Sequence, residues 1–374
     1  MKRYAIILSL FLIIILIFYY GIIVGKDKVF PYKQLNYLQD QVEKRFKDEN
    51  YTAQNEFLRE INLNNLVDIN PSNADSLRRI ARDIIFGKNF PTKKFPEKIE
   101  KVKDNHYSDI KNLSYVEKFF IQLKNNIQSI GYIFYPKISN NRLFIYHQGH
   151  GGDFLKGIST ITYFLEKGFT VYAFSMPLLG MNNNPLISSK QLGQVQMLRT
   201  KNAHENFKFF QNPIGYFIAP IVIMINYSQL MKYQDITMCG INGGGWTTVL
   251  AAAVDIRIQY SIPVAGSYPM YIRYNSPKTN WGDFEQHYSE LYNRVNYLEL
   301  YVLGSVGKNR KQLQIFNKND PCCFAGDYSK YYHHFVTDKV NEFDSGFFDI
   351  FLDIENKVHS ISTVQLELIY DFIN

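Results

Sequence analysis

The amino-acid sequence predicts an α/β protein, in which a mostly parallel sheet with flanking helices follows an N-terminal transmembrane helix and a helical segment. Two observations support this prediction. From residue 115 onward, short apolar runs alternate with helical stretches, which is typical of a parallel α/β sheet. Before that point, a long apolar run is followed by a polar stretch with helical periodicity.

The composition favours a globular chain and argues against nucleic-acid binding. Of the 374 residues, 46% are hydrophobic and 20% are charged, so the chain can bury a large core. The net charge of +7 is spread along the chain, without a block of like charges that would indicate a nucleic-acid-binding arm. We therefore expect no nucleic-acid partner.

Residues 4–25 form the apolar run. All 22 residues of this run are uncharged, and as a helix they would extend roughly 33 Å, the thickness of the hydrocarbon core of a bilayer. No small-x-small cleavage site follows, which favours a retained anchor over a signal peptide. The sequence thus predicts a single-pass membrane protein, and basic residues on both flanks leave the side of its body open.

Residues 26–106 are predicted to form a helical stalk or a flanking subdomain. The stretches YLQDQVEKRF and ADSLRRIARDIIFG have helical periodicity. The segment from Pro91 to Pro96 breaks the last helix and is typical of a linker.

Residues 107–374 are predicted to form the α/β domain. Its first two apolar runs, YVEKFFIQL and SIGYIFYP, indicate an antiparallel hairpin, and the later runs alternate with helices such as WTTVLAAAVD. The predicted strands of the parallel part lie within the stretches RLFIYHQG, FTVYAFSMP, DITMCGI, QYSIPVAG, KQLQIFNKND and FFDIFLDIE, and the first, third and fifth of them end with RLFIY, DITMC and KQLQIF.

The residues that follow these strands are candidates for a functional site, because an open parallel sheet binds ligands beyond the carboxyl ends of its strands. The glycine-rich turn of residues 147–152 follows the first parallel strand, and its backbone N–H groups are placed to line an oxyanion hole. Residues 240–244 follow the third strand. The other candidate stretches are residues 317–320 and 356–362.

The stretch CGINGGGWTTVLAAA, residues 239–253, has the pattern of a tight strand-to-helix turn that exposes one residue, Asn242. Glycines beside it let strand and helix approach closely, and asparagine tolerates the positive φ that such a turn needs. A carboxamide nitrogen is a poor nucleophile, because its lone pair is delocalised into the carbonyl group. No acyl-enzyme through Asn242 is therefore expected.

With these stretches in this order, residues 115–374 resemble the α/β-hydrolase superfamily, in particular its esterases and lipases, with Asn242 at the position of the nucleophile. The activity that the resemblance implies is hydrolysis of a small-molecule ester or acyl bond, without a metal or an organic cofactor.

The resemblance also implies roles for the other candidates. Asp320 corresponds to the acid of a catalytic triad and His359 to its base. The oxyanion hole would be formed by the backbone N–H of Gly243 and one from the turn of His150 and Gly151.

Four interpretations of Asn242 stay open. The domain is a catalytically inactive binding or scaffold protein, or an enzyme in which His359 and Asp320 activate water or a different nucleophile. Alternatively, deamidation of Asn242 beside Gly243 yields an aspartate nucleophile, or the asparagine is an altered position or a sequence error, since serine and asparagine codons can differ by a single base.

Three further features have simpler interpretations. His147 and His150 lack a partner carboxylate nearby in the sequence, so we predict no metal site. The adjacent Cys322 and Cys323 are too close in sequence for an ordinary disulfide and are predicted to be packed residues, with a thiol nucleophile as the alternative. The aromatic-rich insertion between Ser267 and Lys311 is expected to cover the pocket.

Overall fold

A computed structural model describes residues 18–21, 56–102, 107–189, 191 and 193–374. The described residues from Asn62 to Asn374 form one compact unit, and those before it are helical at 18–21 and 56–60. Most of the predicted membrane span lies outside the described residues, as does the first part of the predicted stalk. Within the described ranges, no helix is both long and apolar enough to cross a membrane.

A nine-stranded sheet forms the centre of this unit, as far as the described residues extend, and a two-stranded hairpin lies outside it. Along the chain the strands are β1 (Lys98–Lys101), β2 (Leu113–Gln122), β3 (Gln128–Pro136), β4 (Leu143–His147), β5 (Thr170–Phe174), β6 (Leu186–Ser189), β7 (Gly193–Gln196), β8 (Ile236–Ile241), β9 (Tyr260–Val264), β10 (Lys311–Asn317) and β11 (Phe347–Asp353).

The strand order in the sheet is β1-β2-β3-β5-β4-β8-β9-β10-β11. Strands β1, β2, β3 and β5 pair antiparallel in succession. All neighbours from β5 to β11 run parallel. The predicted mostly parallel sheet and the predicted hairpin, β2 with β3, are therefore confirmed, whereas β1 and the β6–β7 hairpin are additional elements.

Helices flank the sheet, and those at Gly215–Ser228, Gly243–Val254 and Tyr297–Ser305 are buried at nearly every position. They are α1 (Ala74–Phe86), α2 (Ile158–Glu166), α3 (Gly215–Ser228), α4 (Gly243–Val254), α5 (Met270–Tyr274), α6 (Ser289–Tyr292), α7 (Tyr297–Ser305), α8 (His333–Asn341) and α9 (Thr363–Ile373).

The core lies on both faces of the parallel strands. Strands β4, β5 and β8 are buried at every position, as expected for strands covered on both sides. Phe144 of β4 and Val171 of β5 pack in one cluster with Leu366 and Ile369 of α9. Helix α4 packs on β8 and β9, so its N-terminal end is held at the carboxyl edge of the sheet.

Buried arginines cap the C-terminal end of α4. Arg310 Nη2 donates to the carbonyl oxygen of Ala252 at 2.6 Å, and Arg78 of α1 donates to that of Ala253. The last carbonyl groups of a helix have no partner within the helix and favour a positive charge. These contacts hold the C-terminal end of α4 in place. Residues 62–102 of the predicted stalk or subdomain, which include Arg78, belong to the same compact unit as the sheet.

Candidate active site at the carboxyl edge of the sheet

The turn between β8 and α4 places Asn242 at a sharp corner. Its φ is 56° and its ψ is −122°, and asparagine tolerates positive φ better than most residues. A Cβ on Gly240 would lie 2.2 Å from the carbonyl oxygen of Gly244, and a Cβ on Gly244 would lie 2.0 Å from that of His147. Only glycines therefore let the strand and the helix approach this closely, as the sequence pattern predicts.

Asp320, His359 and Asn242 lie side by side, although they follow three different strands. His359 Nδ1 lies 2.8 Å from Oδ2 of Asp320, and Nε2 lies 3.2 Å from Nδ2 of Asn242. Since Nδ1 faces a carboxylate and Nε2 faces an N–H group, these contacts place the ring proton on Nδ1 and leave Nε2 as an acceptor. This is the tautomer that a general base needs.

The carboxylate of Asp320 is held by its own loop. Oδ1 accepts hydrogen bonds from the backbone N–H groups of Cys322 and Cys323, at 2.8 Å and 3.3 Å. Burial raises the pKa of Asp320. The hydrogen bond from His359 and these backbone donors lower the pKa by more than burial raises it, so that it lies below the usual range. Asp320 is therefore ionised at neutral pH and orients His359.

The carboxamide of Asn242 is oriented by partners on both sides. Oδ1 accepts from the backbone N–H of Gly243 at 2.5 Å and from His150 Nδ1 at 2.9 Å. Nδ2 lies 3.0 Å from Cys323 Sγ and 3.2 Å from His359 Nε2. With donors on one side and acceptors on the other, only one orientation of the amide satisfies all four partners. The oxygen of Asn242 thus uses the donors that an oxyanion would need.

His150 is held in the charged state by Glu285. Its Nε2 lies 2.7 Å from Glu285 Oε1, and its Nδ1 faces the oxygen of Asn242. Both ring nitrogens face acceptors, so both carry protons. Burial lowers the pKa of His150, but the hydrogen bond and the negative charge of Glu285 more than offset burial, and the net pKa is raised.

The same contact holds Glu285 ionised. Burial raises the pKa of its carboxyl group. The hydrogen bond and charge of His150 lower this pKa by much more than burial raises it, to below the usual range. Glu285 is fully buried. A buried ion pair of Glu285 and His150 therefore lies directly behind Asn242.

The sequence did not single out Glu285 or its neighbour His204 as site residues. Glu285 belongs to the insertion after β9, which was expected only to cover the pocket, and His204 lies in a 3-10 segment, Lys201–Phe209. The available signal was the acidic pair in GDFEQH, but residue type alone does not distinguish a buried carboxylate from an exposed one.

His150, His204 and Glu285 offer ligand atoms within 4.8 Å of one another, which is a donor set that zinc accepts. His204 Nδ1 lies 3.8 Å from Glu285 Oε1, and within the described residues Glu285 Oε2 has no hydrogen-bond partner. However, His150 Nε2 faces Glu285 as a protonated donor, and a protonated nitrogen cannot bind a metal. His147 is not part of this set. The absence of a metal stays a prediction.

Cys322 and Cys323 lie against the same corner and are joined by a disulfide bond. This bond was not predicted: the spacing excludes only an ordinary disulfide, and the expectation was a pair of packed residues. The rule behind this expectation concerns cysteines from separate parts of the chain, whereas neighbours close a small ring across one peptide bond, at a Cα separation of 3.8 Å. The third cysteine, Cys239, is free and buried.

A cavity of about 320 Å³ opens beside Asn242 and His359, a size that suits a small ligand. Gln148, Gly151 and Lys156 also line it. Gly151 thus lies at this cavity, and donation to an oxyanion by a backbone N–H of its turn stays a prediction. The imidazole of His150, in the same turn, lies within hydrogen-bond distance of Asn242.

No protein-family model matches the chain, and no curated protein matches its sequence. Solved structures are similar to it. An acetyl xylan esterase from Paenibacillus sp. R4 has 13% identity and a TM-score of 0.54, with 81% of this chain and 94% of that chain covered. Acetyl xylan esterase 1 from Thermoanaerobacterium sp. JW/SL YS485 has 12% identity and a TM-score of 0.51, with 82% of this chain and 94% of that chain covered. A methylesterase has 15% identity and a TM-score of 0.54, with 87% of this chain and 67% of that chain covered. These likenesses show that the chain has the α/β-hydrolase fold.

Proposed function

We propose that the protein hydrolyses carboxylic esters or related acyl bonds of a small-molecule substrate, with His359 as general base and Asp320 as the residue that orients it. The observation that supports this most is the alignment of the pair. His359 Nδ1 lies 2.8 Å from Asp320, and the unprotonated Nε2 points to the side chain of Asn242 at the corner of the turn. A fold shared with esterases is consistent with an ester substrate.

The oxyanion donors of the site suit the same reaction. A substrate carbonyl that displaces the oxygen of Asn242 meets the N–H of Gly243 and the charged imidazole of His150. A charged donor stabilises a developing oxyanion more strongly than a neutral one. Because the carboxamide of Asn242 cannot attack, the nucleophile is either water or another side chain.

One observation favours a second candidate, a catalytically inactive binding or scaffold protein. The oxygen of Asn242 already occupies both oxyanion donors, at 2.5 Å and 2.9 Å. A protein that only binds its ligand loses nothing by this arrangement, whereas an enzyme must move the carboxamide or approach it from another side. Measured turnover decides between the two candidates.

The variants His359→Ala and Asp320→Asn are expected to lower ester hydrolysis by roughly 10²-fold or more, the contribution of a positioned general base. The measurement is the initial rate with p-nitrophenyl acetate, on the purified full chain in detergent, before and after treatment with a thiol reductant. His334→Ala is the matched control, since His334 is an exposed histidine of α8. Absence of turnover in both redox states of the wild type would support the binding protein.

We also propose that residues 4–25 anchor the protein in a membrane as a single span. The support is the uncharged apolar run in the sequence. The full chain is expected to stay with the membrane pellet after alkaline carbonate extraction, whereas a chain that begins at Lys26 is expected in the supernatant. Release of the full chain by carbonate would contradict a membrane span.

A further inference from the structure

We propose that Cys323 is the nucleophile that His359 activates, and that its bond to Cys322 keeps the site inactive until a thiol reductant opens it. The inference rests on the ester-hydrolase function proposed above, and it names the group that replaces the missing nucleophile at position 242. The substrate class is the same, a small carboxylic ester.

The loop after β10 brings the two cysteines to the corner where a nucleophile is needed. Cys323 Sγ lies 3.0 Å from Asn242 Nδ2, and Cys322 Sγ lies 3.8 Å from it. Both sulfur atoms lie within 4.8 Å of a ring nitrogen of His359. Once the bond between the sulfurs is open, the Cys323 side chain can rotate, and pairs of nucleophile and base are often looser in free enzymes than in complexes.

The loop that carries Cys323 is tied to the base. Oδ1 of Asp320 accepts from the N–H groups of both cysteines, while the same carboxylate accepts from His359 Nδ1. One buried carboxylate therefore fixes the backbone of the nucleophile and the ring of the base relative to each other. This arrangement is what general-base activation of a thiol requires.

Asn242 has a role in this arrangement. Its oxygen is held by Gly243 and His150, so both protons of Nδ2 point to the other side, towards His359 and Cys323. An N–H donor favours a thiolate over a thiol, and an asparagine amide can also donate to an oxyanion. The residue is thus a hydrogen-bond donor beside a nucleophile that comes from another loop.

Opening the disulfide requires a reductant, which we take to be a cellular dithiol or two monothiols. Its thiolate attacks a sulfur of the bridge, and a second thiol resolves the mixed disulfide. Two electrons and two protons pass to the protein, giving two cysteine thiols, and the reductant leaves as its disulfide. Cys322 is exposed and Cys323 is half-buried, so we take the sulfur of Cys322 as the point of attack.

The reduced site then carries out acyl transfer in two steps. Nε2 of His359 takes the proton from Cys323, and the sulfur attacks the ester carbonyl carbon. The C–S bond forms, the C–O bond to the alcohol breaks, and His359 returns the proton to the departing alkoxide. In the second step His359 takes a proton from water, hydroxide attacks the thioester, the C–S bond breaks, and the sulfur regains a proton.

The test compares oxidised and reduced protein. The full chain is assayed with p-nitrophenyl acetate as isolated without reductant, and again after dithiothreitol treatment and gel filtration. We expect the wild-type rate to rise by roughly 10²-fold or more on reduction, the range of a positioned base and nucleophile. Cys323→Ala should stay at the rate of the oxidised protein in both states. Cys322→Ser, which cannot form the bridge, should be active without reduction.

A second readout does not depend on any variant folding. Acid quenching of the reduced wild type during turnover should trap an acetyl group on Cys323, seen as a gain of about one acetyl mass in peptide mass spectrometry. The buried Cys239 should carry none.

The outcomes separate this inference from the function on which it rests. If reduced Cys323→Ala keeps the wild-type rate while His359→Ala loses it, the nucleophile is water, and only the present inference fails. Equal rates of the oxidised and reduced wild type would overturn the switch. Absence of turnover in every form would overturn both proposals.

Discussion

Replacing Asn242 by serine is expected to produce a serine hydrolase that is active even while the bond between Cys322 and Cys323 is intact. In the absence of reductant, hydrolysis of p-nitrophenyl acetate should exceed that of the wild type by roughly 10²-fold or more, the effect of supplying a nucleophile to a positioned base. The variant should also react with a fluorophosphonate, and the label should map to residue 242.

The contacts of the carboxamide explain this expectation. Without the side chain of Asn242, the N–H of Gly243 and the charged imidazole of His150 lose their acceptor and are free for a substrate carbonyl. His359 Nε2 loses the N–H at 3.2 Å and can accept the proton of a hydroxyl group instead. Serine at a φ of 56° costs about 1 kcal/mol or somewhat more in strain, which is too little to unfold a domain of this size.

Asn242→Ala is the matched control, because it also clears the oxyanion donors but supplies no hydroxyl. It should neither label nor gain activity without reductant. A folded Asn242→Ser protein that does not label would show that His359 and the oxyanion donors are not aligned for acyl transfer.

The three residues of the triad-like arrangement were predictable from sequence because they follow strands of one parallel sheet. The positions after the strands within DITMCGI, KQLQIFNKND and FFDIFLDIE meet at the carboxyl edge once β8, β10 and β11 run parallel. Periodicity identifies such strands, and topology then places the residues that follow them together. The close approach of strand and helix at Asn242 was predictable as well, because the glycines around it carry no side chain that would clash.

The partners behind the site were not predictable in this way. Glu285 lies in a four-residue 3-10 segment, Phe284–His287, which has no periodic pattern of its own. Its contact with His150 joins residues that are 135 positions apart. The disulfide between Cys322 and Cys323 was missed for the opposite reason, since it is so local that spacing rules for disulfides do not describe it.

Glu285→Gln is expected to lower the free energy of unfolding by about 3 kcal/mol near pH 6, and by less near pH 9, because it removes the buried counter-charge of His150. The ring then keeps, among the described residues, only the partly exposed carboxylate of Asp283, whose Oδ2 lies 3.4 Å from Nδ1. The measurement is urea unfolding followed by tryptophan fluorescence, in which the fully buried Trp246 is one of the two reporters. Glu290→Gln is the control, since Glu290 is an exposed carboxylate of the same insertion.

The direction of the pH dependence follows from the two pKa shifts. The pKa of His150 is raised above 6.5, so its stabilisation is complete below about pH 6.5 and is lost as the pH rises through the pKa of the folded state. The pKa of Glu285 is lowered below 4.5, so its stabilisation is present above about pH 4.5 and is lost only as the pH falls further. The ion pair therefore stabilises the folded protein most between about pH 4.5 and pH 6.5.

The loss on Glu285→Gln should consequently be larger at pH 6 than at pH 9. The same substitution tests the catalytic argument, since it removes the charge that makes His150 a strong donor to an oxyanion. In the Asn242→Ser background it should reduce the gained esterase rate at pH 7. If the stability loss were equal at both pH values, His150 would be neutral in the folded protein, and the N–H of Gly243 would be the stronger of the two donors at the corner.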